Sequence, residues 1–185
     1  MMEFTEFNKI PRLARECTIT EKIDGTNASI YIGEDGAFLT GSRTKWITPE
    51  EDNYGFAKWA LSNKEELLKL GVGHHFGEWW GNGIQRGYGN PIKTFSLFNT
   101  KKWSNNPDLP NCCSVVPVIY QGLFDTGAIQ SCIDDLKMNG SKAFPSYPKP
   151  EGVVIWHNAA QIYFKKTIEK DTEYKGNPNP PAEEI

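Results

Sequence analysis

The chain has 185 residues, 38% of them hydrophobic and 12% aromatic, which suits one globular domain with a real core and excludes a disordered chain. Its net charge of −3 argues against a module that only coats nucleic acid, since such modules are basic, but allows an enzyme making a few local phosphate contacts. No apolar run reaches membrane-spanning length and the start, Met1-Met2-Glu3-Phe4-Thr5-Glu6, is acidic, unlike a signal peptide, so a cytoplasmic protein is expected.

In chain order, Thr18 to Ile23 and Ala28 to Ile32 alternate around Asp24-Gly25, the pattern of a β-hairpin closed by a tight turn. Ala37 to Thr40 continues as a short strand after the turn signal Glu34-Asp35-Gly36. Thr48-Pro49-Glu50-Glu51 has the makings of a helix start: an N-cap threonine, a proline at the first position and acids in the first turn. That helix is expected to reach about Leu61, to restart at Ser62 with Glu65 completing a capping box, and to stop at Gly71. His75 to Trp80, Thr94 to Asn99 and Val115 to Phe124 read as strands, and Gly127 to Asn139 as a helix ended by Gly140. Val153 to His157 and Gln161 to Lys166 form a last hairpin around Asn158-Ala159-Ala160. Residues 1–172 make the domain, and 173–185, rich in proline and without periodicity, a mobile tail. Strands in hairpins with helices between them give an α+β class with antiparallel sheets.

Chemistry concentrates at Glu21-Lys22-Ile23-Asp24-Gly25-Thr26-Asn27. A lysine held at a strand end beside a tight turn is placed to attack an electrophile, provided that desolvation or a nearby cation frees its lone pair. A lysine beside an Asp-Gly turn more often faces water, so the motif alone decides little. Other features say less. Cys17, Cys112, Cys113 and Cys132 lack CxxC spacing and read as reduced thiols, and His74-His75 matches no metal-site spacing. The stretch from Gly81 to Gly89 lacks the Lys-Ser/Thr ending of a P-loop and reads as a flexible loop bordering the site, with Arg86 and Tyr88 available to nucleic acid by charge and stacking.

Downstream of the lysine motif come Gly41-Ser42-Arg43, Phe76-Gly77-Glu78-Trp79, Phe95-Ser96-Leu97-Phe98-Asn99, Glu151-Gly152-Val153-Val154 and Phe164-Lys165-Lys166-Thr167. Together, and in this order, these segments resemble the covalent nucleotidyltransferases: ATP-dependent ligases and mRNA capping enzymes. Lys-x-Asp-Gly-Thr-Asn with Gly-Glu-Trp looks most like the bacteriophage-type RNA ligases. The resemblance spans about Thr18 to Asp171. It implies an ATP-grasp-like fold of two twisted antiparallel sheets flanked by helices, with ATP and Mg²⁺ (or Mn²⁺) in the cleft between them.

The resemblance also implies roles. Lys22 is the nucleophile that forms lysyl-AMP, and Lys165 and Lys166 supply cationic charge to the phosphates. Glu151 helps to hold the metal, Glu78 meets the ribose hydroxyls, and Phe98 stacks on adenine. Arg43 grips a phosphate or the ribose, Asn27 and Asp24 position phosphate, metal or the incoming 3′-hydroxyl, and Glu21 touches adenine. The family's last motif spaces its two lysines by one residue, whereas here they are adjacent. Neighbouring strand residues point to opposite faces, so one of the two enters the cleft, and Lys165 is favoured.

Fewer than twenty residues follow Lys166, so a bare adenylyltransferase domain without a C-terminal OB-fold domain is expected. It would be a monomer that takes its grip on RNA or nicked duplex ends from its own surface or from a partner protein. The expected activity is ATP-dependent joining of 5′-phosphate and 3′-hydroxyl ends, with a minimal DNA ligase or a non-catalytic end-binding relative as alternatives.

Overall fold

The computed structural model describes residues 3–172. Among these residues, ten strands divide between two sheets. The first sheet contains β1 (Glu16–Lys22), β8 (Val118–Leu123), β9 (Gly152–His157) and β10 (Ile162–Thr167), in the order β10-β9-β1-β8 and all antiparallel. The second contains β2 (Thr26–Ile32), β3 (Phe38–Gly41), β4 (Trp46–Ile47), β5 (Gly73–Gly81), β6 (Lys93–Leu97) and β7 (Cys113–Val115), in the order β4-β3-β2-β5-β6-β7. This sheet is mixed, because β7 runs parallel to β6. Four short or medium α-helices lie among the described residues: α1 (Phe56–Ser62), α2 (Lys64–Leu67), α3 (Thr100–Trp103) and α4 (Thr126–Asn139).

Each sheet has its own core. Helix α4 is capped by Asp125, whose carboxylate accepts from the Ala128 N–H at 3.1 Å, and it ends at Gly140, φ 77°. Its buried stripe of Ile129, Cys132, Ile133 and Leu136 packs on Cys17 and Ile19 of β1 and Val153 and Ile155 of β9. The second core lies under the larger sheet, where Ala28, Ile30, Ile32, Trp79 and Phe95 meet Phe56, Ala57 and Ala60 of α1.

The expected hairpin at Asp24-Gly25 does not form. β1 pairs with β8 and β9, β2 pairs with β3 and β5, and residues 23–25 carry the chain from one sheet to the other. Ile23 is buried against Trp80, Tyr88 and Val116, and Gly25 lies so close to β5 that a Cβ there would stand 2.5 Å from the Trp79 carbonyl oxygen. The Val115–Phe124 strand likewise splits. Val116 and Pro117 leave β7 in the larger sheet and deliver β8 to the smaller, proline having no N–H to extend a ladder. Both crossings meet in one small cluster, since Val116 packs with Ile23.

The first helix starts later than expected. Tyr54 and Gly55 have positive φ (52° and 82°), and the Asp52 carboxylate accepts from the N–H groups of Ala57 (2.8 Å) and Lys58 (3.0 Å), so turns occupy 48–55. No capping box forms at Ser62; Asn63 is the N-cap of α2, and a 3₁₀ turn over 68–70 leads to Gly71. The β9–β10 hairpin is present, and β4 and α3 are elements without a signal in the sequence reading. The proline-rich tail lies outside the described residues. Among those described, no helix is long and apolar enough to cross a membrane.

Candidate active site

Lys22 ends β1 and Glu151 immediately precedes β9. They meet because Lys22 is directly opposite Gly152 in the β1–β9 ladder. Lys22 Nζ donates to Glu151 Oε2 at 2.5 Å, with the side chains 25% and 16% exposed, so this is a sheltered pair rather than a solvated surface one. Gly152 lets β10 pack close beside this rung: a Cβ would sit 2.2 Å from the Lys166 carbonyl oxygen.

The ladder also assigns the faces. Lys22, Gly152 and Thr167 stand abreast, and Thr20, Val154 and Lys165 lie one rung along on the same face. Glu21, Val153 and Lys166 lie on the opposite face, the one that α4 covers. Lys165 and Thr167, spaced by one residue, therefore share the face of Lys22.

The larger sheet brings Glu78, opposite Asn27 in the β2–β5 ladder. Glu78 is buried; Oε1 accepts from the Gly25 N–H at 3.0 Å and Oε2 from Asn27 Nδ2 at 3.1 Å. Burial pushes its carboxyl up to about 7, against the opposing charge of Lys22 and with the reinforcing charge of Glu151. Two carboxylates and a lysine from different sheets thus lie within one another's field. In the ligand-free protein Glu78 has these protein donors rather than ribose hydroxyls as partners, although a carboxylate has further lone pairs to offer.

Asp24 is fixed from both ends. Its N–H donates to the Tyr88 hydroxyl at 3.0 Å, and Oδ2 accepts from Arg86 Nε at 2.9 Å. Arg86 Nη1 also donates to the carbonyls of Lys149 (2.9 Å) and Pro150 (3.4 Å), so one guanidinium ties the residues after Lys22 to those before Glu151. The structure bears on three expectations here. The 81–89 segment is a packed structural loop, with Ile84 and Tyr88 fully buried. Tyr88 contacts the Trp80 and Tyr147 rings (centroids 5.4 and 4.5 Å) and has no face free for a base. Arg86 is committed to Asp24 and two carbonyls rather than held out toward nucleic acid.

Glu21 is also engaged. Its buried carboxylate accepts from Ser141 Oγ (2.6 Å), Lys142 N–H (2.6 Å) and Ala143 N–H (2.9 Å), which makes it a latch on the 141–143 turn and leaves its side chain no opening to a base. Phe98 is half-buried against the Ile23–Trp80–Tyr88–Val116 cluster, and its N–H donates to the Phe76 carbonyl at 2.9 Å, extending the β5–β6 ladder on the Glu78 face. Arg43 is exposed and lines an open groove of about 400 Å³ with Thr26, Lys45, Asp52 and Asn53. Lys22, Asp24, Asn27, Glu78 and Glu151 are thus gathered at the seam between the sheets, with Phe98 and Lys165 facing it, while Glu21 and Lys166 lie behind and Arg43 stands at the rim. That Tyr88 and Ser141 anchor this seam is not readable from local pattern, because their partners are 64 and 120 residues away.

This two-sheet architecture, with a lysine and two carboxylates at the seam, is that of a ligase-type nucleotidyltransferase domain. Residues 15–169 match the family model described as RNA ligase, so the chain belongs to the RNA ligase family. Among curated proteins none matches the sequence. Solved structures of Naegleria gruberi RNA ligase share the fold: a variant with ATP and Mn (TM-score 0.64, 20% identity, 85% of this chain and 51% of that one), a ligand-free variant (0.64, 19%, 88% and 53%) and the enzyme with pyrophosphate (0.61, 20%, 83% and 50%). The chain therefore spans about half the length of these relatives.

Proposed function

We propose that this chain is the adenylyltransferase unit of an ATP-dependent RNA ligase, with Lys22 as the nucleophile. The observation that carries this reading is the sheltered Lys22–Glu151 pair beside buried Glu78, in a member of the RNA ligase family. In the first step Lys22 Nζ forms a bond to the α-phosphorus of ATP. The bond from that phosphorus to the β-phosphate oxygen breaks, and pyrophosphate leaves with the electron pair. Lys22 must lose its proton, so the ion pair with Glu151 parts before attack. The AMP then passes to a 5′-phosphate, and a 3′-hydroxyl displaces it to seal the strand.

Among the described residues no group of three or more His, Cys, Asp or Glu side chains could hold a metal ion alone. Glu151 fits the pattern of a Mg²⁺ or Mn²⁺ site in which one carboxylate shares the ion with substrate phosphates. Such an ion, when bound, neutralises phosphate charge. Lys165 and Arg43 add cations along the phosphate path, Phe98 offers its ring to adenine, and Asn27 and Asp24 keep the lysine turn in place.

The test is incubation with α-labelled ATP and Mg²⁺ or Mn²⁺. Wild type is expected to become covalently labelled, and Lys22→Ala and Lys22→Arg to lose the label. Undiminished labelling of Lys22→Ala would falsify the assignment. Offering 5′-phosphorylated RNA and DNA strands in parallel then decides the substrate.

A further inference from the structure

The face of the larger sheet that carries Asn27 and Glu78 continues away from the lysine as a strip of aromatic rings. Asn27 and Glu78 form one rung, Ser29 and Phe76 the next, Tyr31 and His74 the one after. β3 and β4 extend these rungs sideways: Ser29 pairs with Gly41 and Gly41 with Trp46. Trp46 lies over the bare backbone of Gly41, where a Cβ would come 3.3 Å from the indole. The rings touch in series, with centroids 4.0 Å apart for Phe76–His74, 5.4 Å for His74–Trp46 and 6.2 Å for Trp46–Tyr31.

This strip is open. Trp46 is 50% and Phe76 54% exposed, and His74 is exposed as well. Such rings stay uncovered at a cost in apolar surface, and a run of them on one face marks an interaction site. Its lower end adjoins Phe98, whose N–H bonds to Phe76, so it is continuous with the proposed nucleotide site. Its outer edge carries Arg43 and Lys45 in the turn before Trp46; Arg43 is exposed, and Lys45 reaches Glu51 at 3.1 Å across solvent. Partial burial lowers the pKa of His74, so near neutral pH its ring is an uncharged π-surface like its neighbours.

We propose that this strip is a stacking platform for the unpaired bases of a single-stranded RNA segment of the substrate, with Arg43 and Lys45 meeting its phosphates. Flat rings in series suit bases, whose faces are available only when unpaired, and a sheet face with exposed aromatics is a recurring way to hold single-stranded RNA. The cations at the edge complement a polyanion. Beneath Trp46 the floor is Gly41 and Ser29, with Leu39 beside Tyr31 as the aliphatic member of the face. The inference rests on the reading of the chain as an RNA ligase.

The test measures fluorescence anisotropy of a short labelled oligoadenylate RNA with wild type, Trp46→Ala, Phe76→Ala and the conservative Trp46→Phe, alongside self-labelling with α-labelled ATP. Losing one stacked base is worth about 1–3 kcal/mol, so each alanine variant is expected to bind about 5- to 150-fold more weakly. Trp46→Phe is expected to recover most of the affinity, and a blunt duplex to bind worse than the single strand. AMP labelling of Trp46→Ala is expected to equal that of wild type, which also shows that the variant is folded. Equal RNA affinity of wild type and both alanine variants overturns the platform, whatever the labelling result. So does self-association of wild type that Trp46→Ala abolishes while RNA binding persists, since the strip would then be a protein interface. Ring-dependent RNA binding by a chain that never takes up AMP would remove the ligase reading and leave the platform standing.

Discussion

At the scale of single residues, the 2.5 Å contact between Lys22 and Glu151 sets two uses of one carboxylate against each other. Glu151 accepts from the ammonium in the ligand-free protein, and on the proposed function a phosphate-bound metal would compete for the same oxygens. Glu151→Ala is therefore expected to lose most AMP labelling even at saturating ATP, by about 100-fold or more, as for other groups that stabilise developing charge. Lys165→Ala is expected to cost more than Lys166→Ala, because only Lys165 shares the face of Lys22. Initial rates of labelling rank the two, and the reverse order would refute the face assignment.

Arg86 predicts a different kind of loss. It touches neither end of the Lys22–Glu151 pair but holds Asp24 and the carbonyls of Lys149 and Pro150. Displacements of about 1 Å at a reacting group can cost about 100-fold, so Arg86→Ala is expected to slow AMP transfer to Lys22 itself, with ATP affinity changed less than the rate. Glu78 carries the pH dependence. Its folded-state carboxyl lies near 7, above the ordinary value of 4.5, so the unfolded chain gives up this proton first as pH rises. The contribution is fully present below about 4.5 and is lost as pH rises through about 7. Urea unfolding of Glu78→Gln at several pH values between these limits is expected to show a flatter fall in stability than wild type.

At the scale of elements, Gly25 and Leu136 separate the site from its scaffold. A methyl at Gly25 collides with the backbone of Trp79 and with Trp80 Cβ (2.8 Å), so Gly25→Ala is expected to lose about 1–3 kcal/mol and to displace Glu78 with it. Leu136→Ala empties part of the α4 core and is expected to lose about 2–5 kcal/mol, while the folded fraction still labels. Denaturant unfolding beside labelling per folded molecule distinguishes the two.

Local pattern was enough for α4 and for the β9–β10 hairpin, because periods of 3.6 and 2 are written in neighbouring residues. It failed at Asp24-Gly25 for a physical reason. The same two residues serve a hairpin or a passage between sheets, and the choice is made by Tyr88 and Glu78, more than fifty residues away. Thr48 and Pro49 likewise carried a real helix-start signal, but Asp52 made the capping bonds instead. Lys22, Glu78 and Glu151 were legible as residues; the carboxylate of Glu21 was not, since its occupation by the 141–143 turn depends on that turn's placement.

At the scale of the whole molecule, 20 Lys and Arg are outnumbered by 23 Asp and Glu, so a polyanion must find its cations in a local patch. Each phosphate neutralised on a single strand contributes about 0.7 to the slope of log affinity against log salt, so two contacts, at Arg43 and Lys45, give about −1.4. Titrating RNA binding against salt is expected to return a slope of that order, with AMP labelling far less sensitive. A slope several times steeper would place the RNA on another surface.

The two passages between the sheets, at residues 23–25 and 116–117, converge on one buried knot with Trp80 and Tyr88. A rocking of one sheet against the other would have its fulcrum there. Points far from a fulcrum sweep wide arcs, and points beside it scarcely travel. Lys22 is one residue from Ile23, while the outer strands of both sheets lie at the ends of the levers. On the proposed function, a cleft that widened for a triphosphate would do so at the outer strands and leave Lys22 in place.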